Sequence, residues 1–217
     1  MTDATLMAPA PKKSKVKGWI LPACIAAVVA GIALDTKVVT VGSDEDVREQ
    51  VFDPDGFGRA TFPRIQSRVL EIAPDAVQLA QELADDKAAA IEAYGTKTAI
   101  GGVLAVSVIG VAGEGRSGIF PLTVAGLPEG TNVRMQTGPA INGTDLRDFP
   151  GDITFGQFKN QIEFQDAGSG LNRAMAADVL ADLDRDGLSG QTVSVTGVFT
   201  LINPKNWLIT PVAIEVE

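Results

Sequence analysis

Hydrophobic and polar positions alternate most cleanly near the C-terminus. Val193, Val195, Phe199 and Leu201 fall on one face and Thr192, Ser194, Thr196 and Thr200 on the other, the period of two that marks a half-buried strand. After the turn Asn203-Pro204-Lys205-Asn206, residues 207–216 read as a last strand, and Pro211, which has no N–H for a ladder, places it at a sheet edge. Three earlier strand-like runs cover 103–111, 119–124 and 133–137. Gly113-Glu114-Gly115-Arg116-Ser117-Gly118 joins the first two as a hairpin connection; it is no phosphate loop, because Lys-Ser/Thr is missing and no helix follows.

Between the third and fourth strands the period changes. Leu171, Met175, Val179 and Leu183 have helical spacing. Phe158, Ile162 and Gln165 also suit a helix, although Phe158, Asn160, Ile162 and Phe164 would suit a strand; the helix is favoured, with Gly168-Ser169-Gly170 dividing or kinking it. Upstream, 62–72 (Ile65, Val69 and Ile72 on one stripe) and 75–94 (Leu79, Leu83, Ile91) read as helices parted by Pro74 and stopped by Gly95. Residues 36–41 read as a short strand, Ser43 and Asp46 as the cap of a short helix, and Phe52 to Gly58 as a turn-rich loop in which Asp53 and Asp55 are solvated rather than metal ligands. The expected fold is α+β: a helical spacer or cap over 35–97, then a five-stranded OB-like barrel over 98–217 with a helix between its third and fourth strands.

The N-terminus has a different character. Residues 1–17 form a basic tail expected to be disordered and cytoplasmic, and 18–34 carry no charge, which predicts a transmembrane signal anchor with the rest of the chain exported to the periplasm. Leu21-Pro22-Ala23-Cys24 offers a second fate, acylation of Cys24 as in a lipoprotein, although few apolar residues precede the cysteine; cleavage after Ala33 is a third.

Composition narrows the chemistry. The 217 residues include no histidine and one cysteine, which removes histidine-based acid/base catalysis, the usual triads and zinc sites, and any intrachain disulfide. The net charge of -9 becomes -12 once the +3 of residues 1–17 is set aside, so nucleic acid is excluded as a partner. No cofactor or metal is expected. Asp182-Leu183-Asp184-Arg185-Asp186-Gly187 begins like a calcium loop, but Ser189 and Val193 stand where an aliphatic residue and a bidentate glutamate belong. Asn142-Gly143-Thr144 is formally a glycosylation sequon.

The candidate site is the polar stretch after the third strand: Gln136, Gly143, Thr144, Asp145, Arg147 and Asp148, followed by Phe158, Asn160 and Gln161. Planar polar side chains beside an aromatic face are what a carbohydrate needs. The same groups also serve to staple a crossover loop to a barrel, or to meet a partner protein. A catalytic reading makes Asp145 and Asp148 paired carboxylates in a concave pocket; a non-catalytic protein is the expectation.

Four segments carry a family resemblance: Gln136-Thr137-Gly138-Pro139, Gly143-Thr144-Asp145-Leu146-Arg147-Asp148, Phe155-Gly156-Gln157-Phe158-Lys159-Asn160-Gln161 and Thr192-Val193-Ser194-Val195-Thr196-Gly197-Val198-Phe199. They resemble the uncharacterised bacterial family of predicted periplasmic lipoproteins (domain of unknown function 2291), from Leu34 to the C-terminus. Members are typically encoded beside sugar or polyol ABC importers. The resemblance therefore implies an accessory role at the cytoplasmic membrane, with an importer permease or substrate-binding protein as partner, and implies no reaction.

Overall fold

The computed structural model describes residues 17–36 and 51–217. The expected strand at 36–41, the helix after Ser43 and the tail before Lys17 lie wholly or almost wholly outside them. The chain divides into two compact units, residues 1–50 and 51–217.

In the first unit, helix α1 (Lys17–Asp35) carries Pro22 near its start, and Cys24, Ile25, Val28, Val29, Ile32 and Leu34 are exposed. Among the described residues no helix is long and apolar enough to cross a membrane. The single-pass anchor expected at 18–34 is thus not carried by the described helix.

In the second unit, α2 (Pro54–Ile72), α3 (Ala76–Asp85) and α4 (Lys87–Tyr94) precede β1 (Gly95–Thr98), β2 (Gly101–Ala112), β3 (Ile119–Thr123) and β4 (Asn132–Gln136). The one-turn helix α5 (Asp145–Asp148), a 3-10 turn (Phe155–Gln157) and α6 (Gln161–Val179) lead to β5 (Thr192–Thr200) and β6 (Asn206–Val216). Strands β2, β3, β4, β6 and β5 follow one another around a barrel that closes where β5 pairs antiparallel with β2; β4 and β6 are parallel. This is the five-stranded plan expected from the sequence. β1 is an addition to it, antiparallel to the start of β2, and it straddles the boundary expected between 97 and 98. The preceding helices, expected as a spacer or cap, pack on the barrel: Leu79, Leu83 and Ile91 join the core of the barrel strands, while Phe62, Ile65 and Val69 pack with Val103, Leu171 and Val198 in a second cluster.

The alternation in β5 holds: Val193, Val195, Phe199 and Leu201 enter the first cluster, where Phe199 stacks on the buried Trp207 at 4.9 Å. β6 is not an edge strand, since residues 206–209 pair with β4 and residues 210–216 with β5. Pro211 is accommodated because the β4 pairing ends at Ile209 and the register with β5 shifts beside it, leaving Val212 unpaired between the Gly197–Pro211 and Thr196–Ala213 pairs.

Two sequence expectations about helices fail for one reason. Asp53-Pro54-Asp55-Gly56 is the start of α2, with the Asp53 side chain accepting from the amides of Asp55 and Gly56 and Pro54 in the first turn, where its missing N–H costs nothing. Gly168-Ser169-Gly170 does not interrupt α6. Both segments lie where α2 and α6 cross with almost no separation. A Cβ on Gly58 would fall 2.2 Å from the Gly170 carbonyl oxygen, and one on Gly170 would fall 1.9 Å from that of Pro54. Gly170→Ala should therefore lower unfolding stability in urea by about 1–2 kcal/mol, the backbone overlap outweighing alanine's helix preference. Gly156→Ala, with nothing within 4 Å of the new Cβ, should leave it unchanged. A Gly170→Ala protein more stable than the native one would contradict the close crossing.

Candidate functional site

The polar stretch is a crossover that leaves β4 and runs over the barrel wall. Gln136, the last residue of β4 and 1% exposed, turns its side chain onto it. Its Nε2 donates to the Asn142 carbonyl (3.0 Å) and to Thr210 Oγ1 (2.7 Å), and its Oε1 accepts from the Asn142 amide (3.0 Å). Thr210, in β6, donates onward to Asp145 Oδ2 (3.1 Å), and Thr200, in β5, donates to Asp145 Oδ1 (2.5 Å). One continuous set of hydrogen bonds thus joins the crossover to three strands. Burial pushes the Asp145 carboxyl above its ordinary value, and the nearby Asp148 charge adds to this; the two threonine hydroxyls pull it back without cancelling the rise.

Arg147 and Asp148 occupy the next layer. Arg147 Nε donates to Asp148 Oδ1 (2.8 Å) and Nη1 to the Phe164 carbonyl (3.1 Å), while the guanidinium lies 3.7 Å over the Phe164 ring. Asp148 Oδ2 accepts from Thr144 Oγ1 (2.6 Å). Gly143 has φ +95, which a side chain would strain, and its carbonyl accepts from Asn172 Nδ2 on α6 (3.0 Å). Further along, Arg185 donates from Nε to the Thr137 carbonyl and from Nη2 to that of Leu180.

The nine candidate residues therefore separate into two groups. Gln136, Gly143, Thr144, Asp145, Arg147 and Asp148 come together. Asn160 instead caps α6, accepting from the amides of Ile162 (2.9 Å) and Glu163 (3.0 Å); Gln161 is the exposed first residue of that helix; Phe158 joins a cluster of rings. Sequence reasoning missed Thr200, Thr210, Phe164 and Asn172 as partners. For Thr200 the signal was present in the alternation that turned it away from the barrel interior.

A cavity of about 810 Å³ opens beside Lys87, Ile91, Lys97 and Thr98, and one of about 330 Å³ is walled by Gly138, Pro139, Arg185 and Asp186 of the crossover with Glu114; neither has Asp145, Asp148, Asn160 or Gln161 in its wall. Asp145 and Asp148 each face threonine hydroxyls rather than a concave space between them. Among the described residues no group of three or more acidic or thiol side chains converges to hold a metal. In the 182–187 loop, Asp184 accepts from the amides of Asp186 and Gly187 (both 3.2 Å), closing its own turn.

The raised Asp145 value fixes a pH effect. The folded state holds this proton more tightly than the unfolded state, so the stability it contributes is full below the ordinary 3.8 and is lost as pH rises through the folded value. Asp145→Asn, which cannot ionise, should gain stability relative to the native protein in urea titrations as pH rises from about 4 to about 7. Parallel stability curves would contradict this.

No curated protein matches the chain. A crystal structure of an OB-fold protein from Thermotoga maritima is similar, with a TM-score of 0.61 and 18% identity, covering 77% of this chain and 100% of that one. At that identity the likeness concerns the fold, an α+β chain with a closed five-stranded barrel. The sequence itself matches a family model over residues 23–215, so the chain belongs to the family of predicted periplasmic lipoproteins of unknown function, DUF2291.

Proposed function

We propose that this is a non-catalytic lipoprotein, attached through acylated Cys24 to the periplasmic face of the cytoplasmic membrane, whose domain serves a sugar or polyol ABC importer by contact with its permease or substrate-binding protein. The observation that carries the non-catalytic part is the closure of the polar crossover on itself: Asp145, Asp148, Arg147 and the buried amides of Gln136 and Asn172 are bonded to the crossover, the strands and α6. The Asp145/Asp148 enzyme has no such support.

Attachment through Cys24 replaces the uncleaved anchor for two reasons. Leu21-Pro22-Ala23-Cys24 has the form of a lipoprotein processing box, and the family match begins at residue 23, next to the position where a mature lipoprotein would start. Acyl chains on that cysteine add the burial of many methylene groups to whatever the exposed apolar side chains of α1 contribute. The importer follows from what the family resemblance implies.

Intact mass of the protein extracted from membranes tests the attachment. The expected species lacks residues 1–23 and carries acyl chains on Cys24, and Cys24→Ser should retain those residues; a full-length, unmodified native chain would contradict it. Gently solubilised tagged protein should bring down the permease or the substrate-binding protein, and recovery of neither would remove the importer.

A further inference from the structure

Of the chain's nine phenylalanines, five form one unbroken series of ring contacts. Phe52 meets Phe57 (5.7 Å) and Phe158 (5.4 Å), Phe57 meets Phe158 (5.8 Å), Phe158 meets Phe164 (5.5 Å), and Phe164 meets Phe155 (5.8 Å). Clusters of this kind ordinarily belong to a core. Here Phe52, Phe57, Phe158 and Phe164 are only half-buried, Phe155 is 51% exposed, and the neighbouring Ile162 and Val51 are 69% and 92% exposed. Phe57, Phe158 and Phe164 pack inward against the second core cluster, and exposed apolar side chains gathered around such a series mark a site of interaction.

Three further observations select the occupant. The face is open, with Phe155 and Ile162 standing in solvent, and the cavities beside Lys87 and beside Arg185 have none of these rings in their walls. It is firmly backed, since Arg147 lies under Phe164 and is fixed by Asp148 and the Phe164 carbonyl. It also lies close along the chain to the proposed attachment, since Phe52 follows Cys24 by 28 residues.

We propose that this phenylalanine face rests on the phospholipid bilayer to which the chain is attached, with Phe155 and Ile162 entering the head-group layer. The proposal rests on the attachment reading above. The contact is apolar in origin, because the charge of -12 after residue 17 is repelled by anionic head groups. That repulsion also favours the orientation in which only the aromatic face touches lipid.

A benzophenone amino acid placed at Phe155, at Ile162, or at the exposed Ile109 on β2 in the full-length protein tests this in isolated membranes, with intact mass after irradiation as the readout. Adducts of phospholipid mass at 155 and 162, absent at 109 and persisting in high salt, are the expected result. A protein adduct at 155 and 162 would overturn the proposal in favour of a protein partner or a second copy, and membrane-bound protein with no excess over 109 would overturn it while leaving the attachment intact. Protein absent from the membrane fraction would remove both.

Discussion

Placing β4 beside β6, parallel to it, commits the chain to a crossover. After Gln136 the next strand cannot be β4's neighbour, so residues 137–191 must travel over the outside of the barrel before β5 begins. Laid against that wall, the crossover brings backbone groups out of water, and each one left unpaired costs about 1–3 kcal/mol. The side chains of Gln136, Thr210, Asp145, Thr200 and Asn172 answer this constraint directly. Gln136 pairs the Asn142 amide and carbonyl and continues through Thr210 and Asp145 to Thr200, joining the crossover to β4, β6 and β5, while Asn172 separately pairs the Gly143 carbonyl from α6.

The same constraint shapes the rest of the unit. α6 is the return limb of the crossover, and α2 lies on it at Gly58 and Gly170 with backbone against backbone. That contact draws the segment before the barrel into the domain. Arg147 connects the inside of the arrangement to its surface, tied to Asp148 on one side and stacked on Phe164 on the other. A crossover held in this way presents a firm face of phenylalanines.

Much of the barrel was legible because strand periodicity is a local property. The alternating residues of β5 kept their phase, and Thr200 on the outward side became a partner of Asp145. The polar residues from Gln136 to Asp148 were recognisable as a unit from their types alone. Their partners were not, because Thr200 and Thr210 lie 55 and 65 residues away from Asp145. Asp53-Pro54-Asp55-Gly56 has a composition that serves a turn and a helix start equally, and Gly168-Ser169-Gly170 serves a break and a close crossing equally. Only the packing of α2 on α6 decides between these, and that contact spans more than a hundred residues of sequence. Pro211 misled in the same way: its missing donor is real, but the structure uses it at a bulge beyond the end of β4.

The central claim is that the crossover is structural, fixed to the barrel by Gln136 and Asp145. Native-state hydrogen exchange at the Asn142 amide, which donates to Gln136 Oε1 from an otherwise exposed residue, tests it most directly. The account predicts protection approaching that of Met135 in the adjoining strand, so that the amide exchanges only when the barrel opens. Exchange at the rate of an unstructured loop would contradict it.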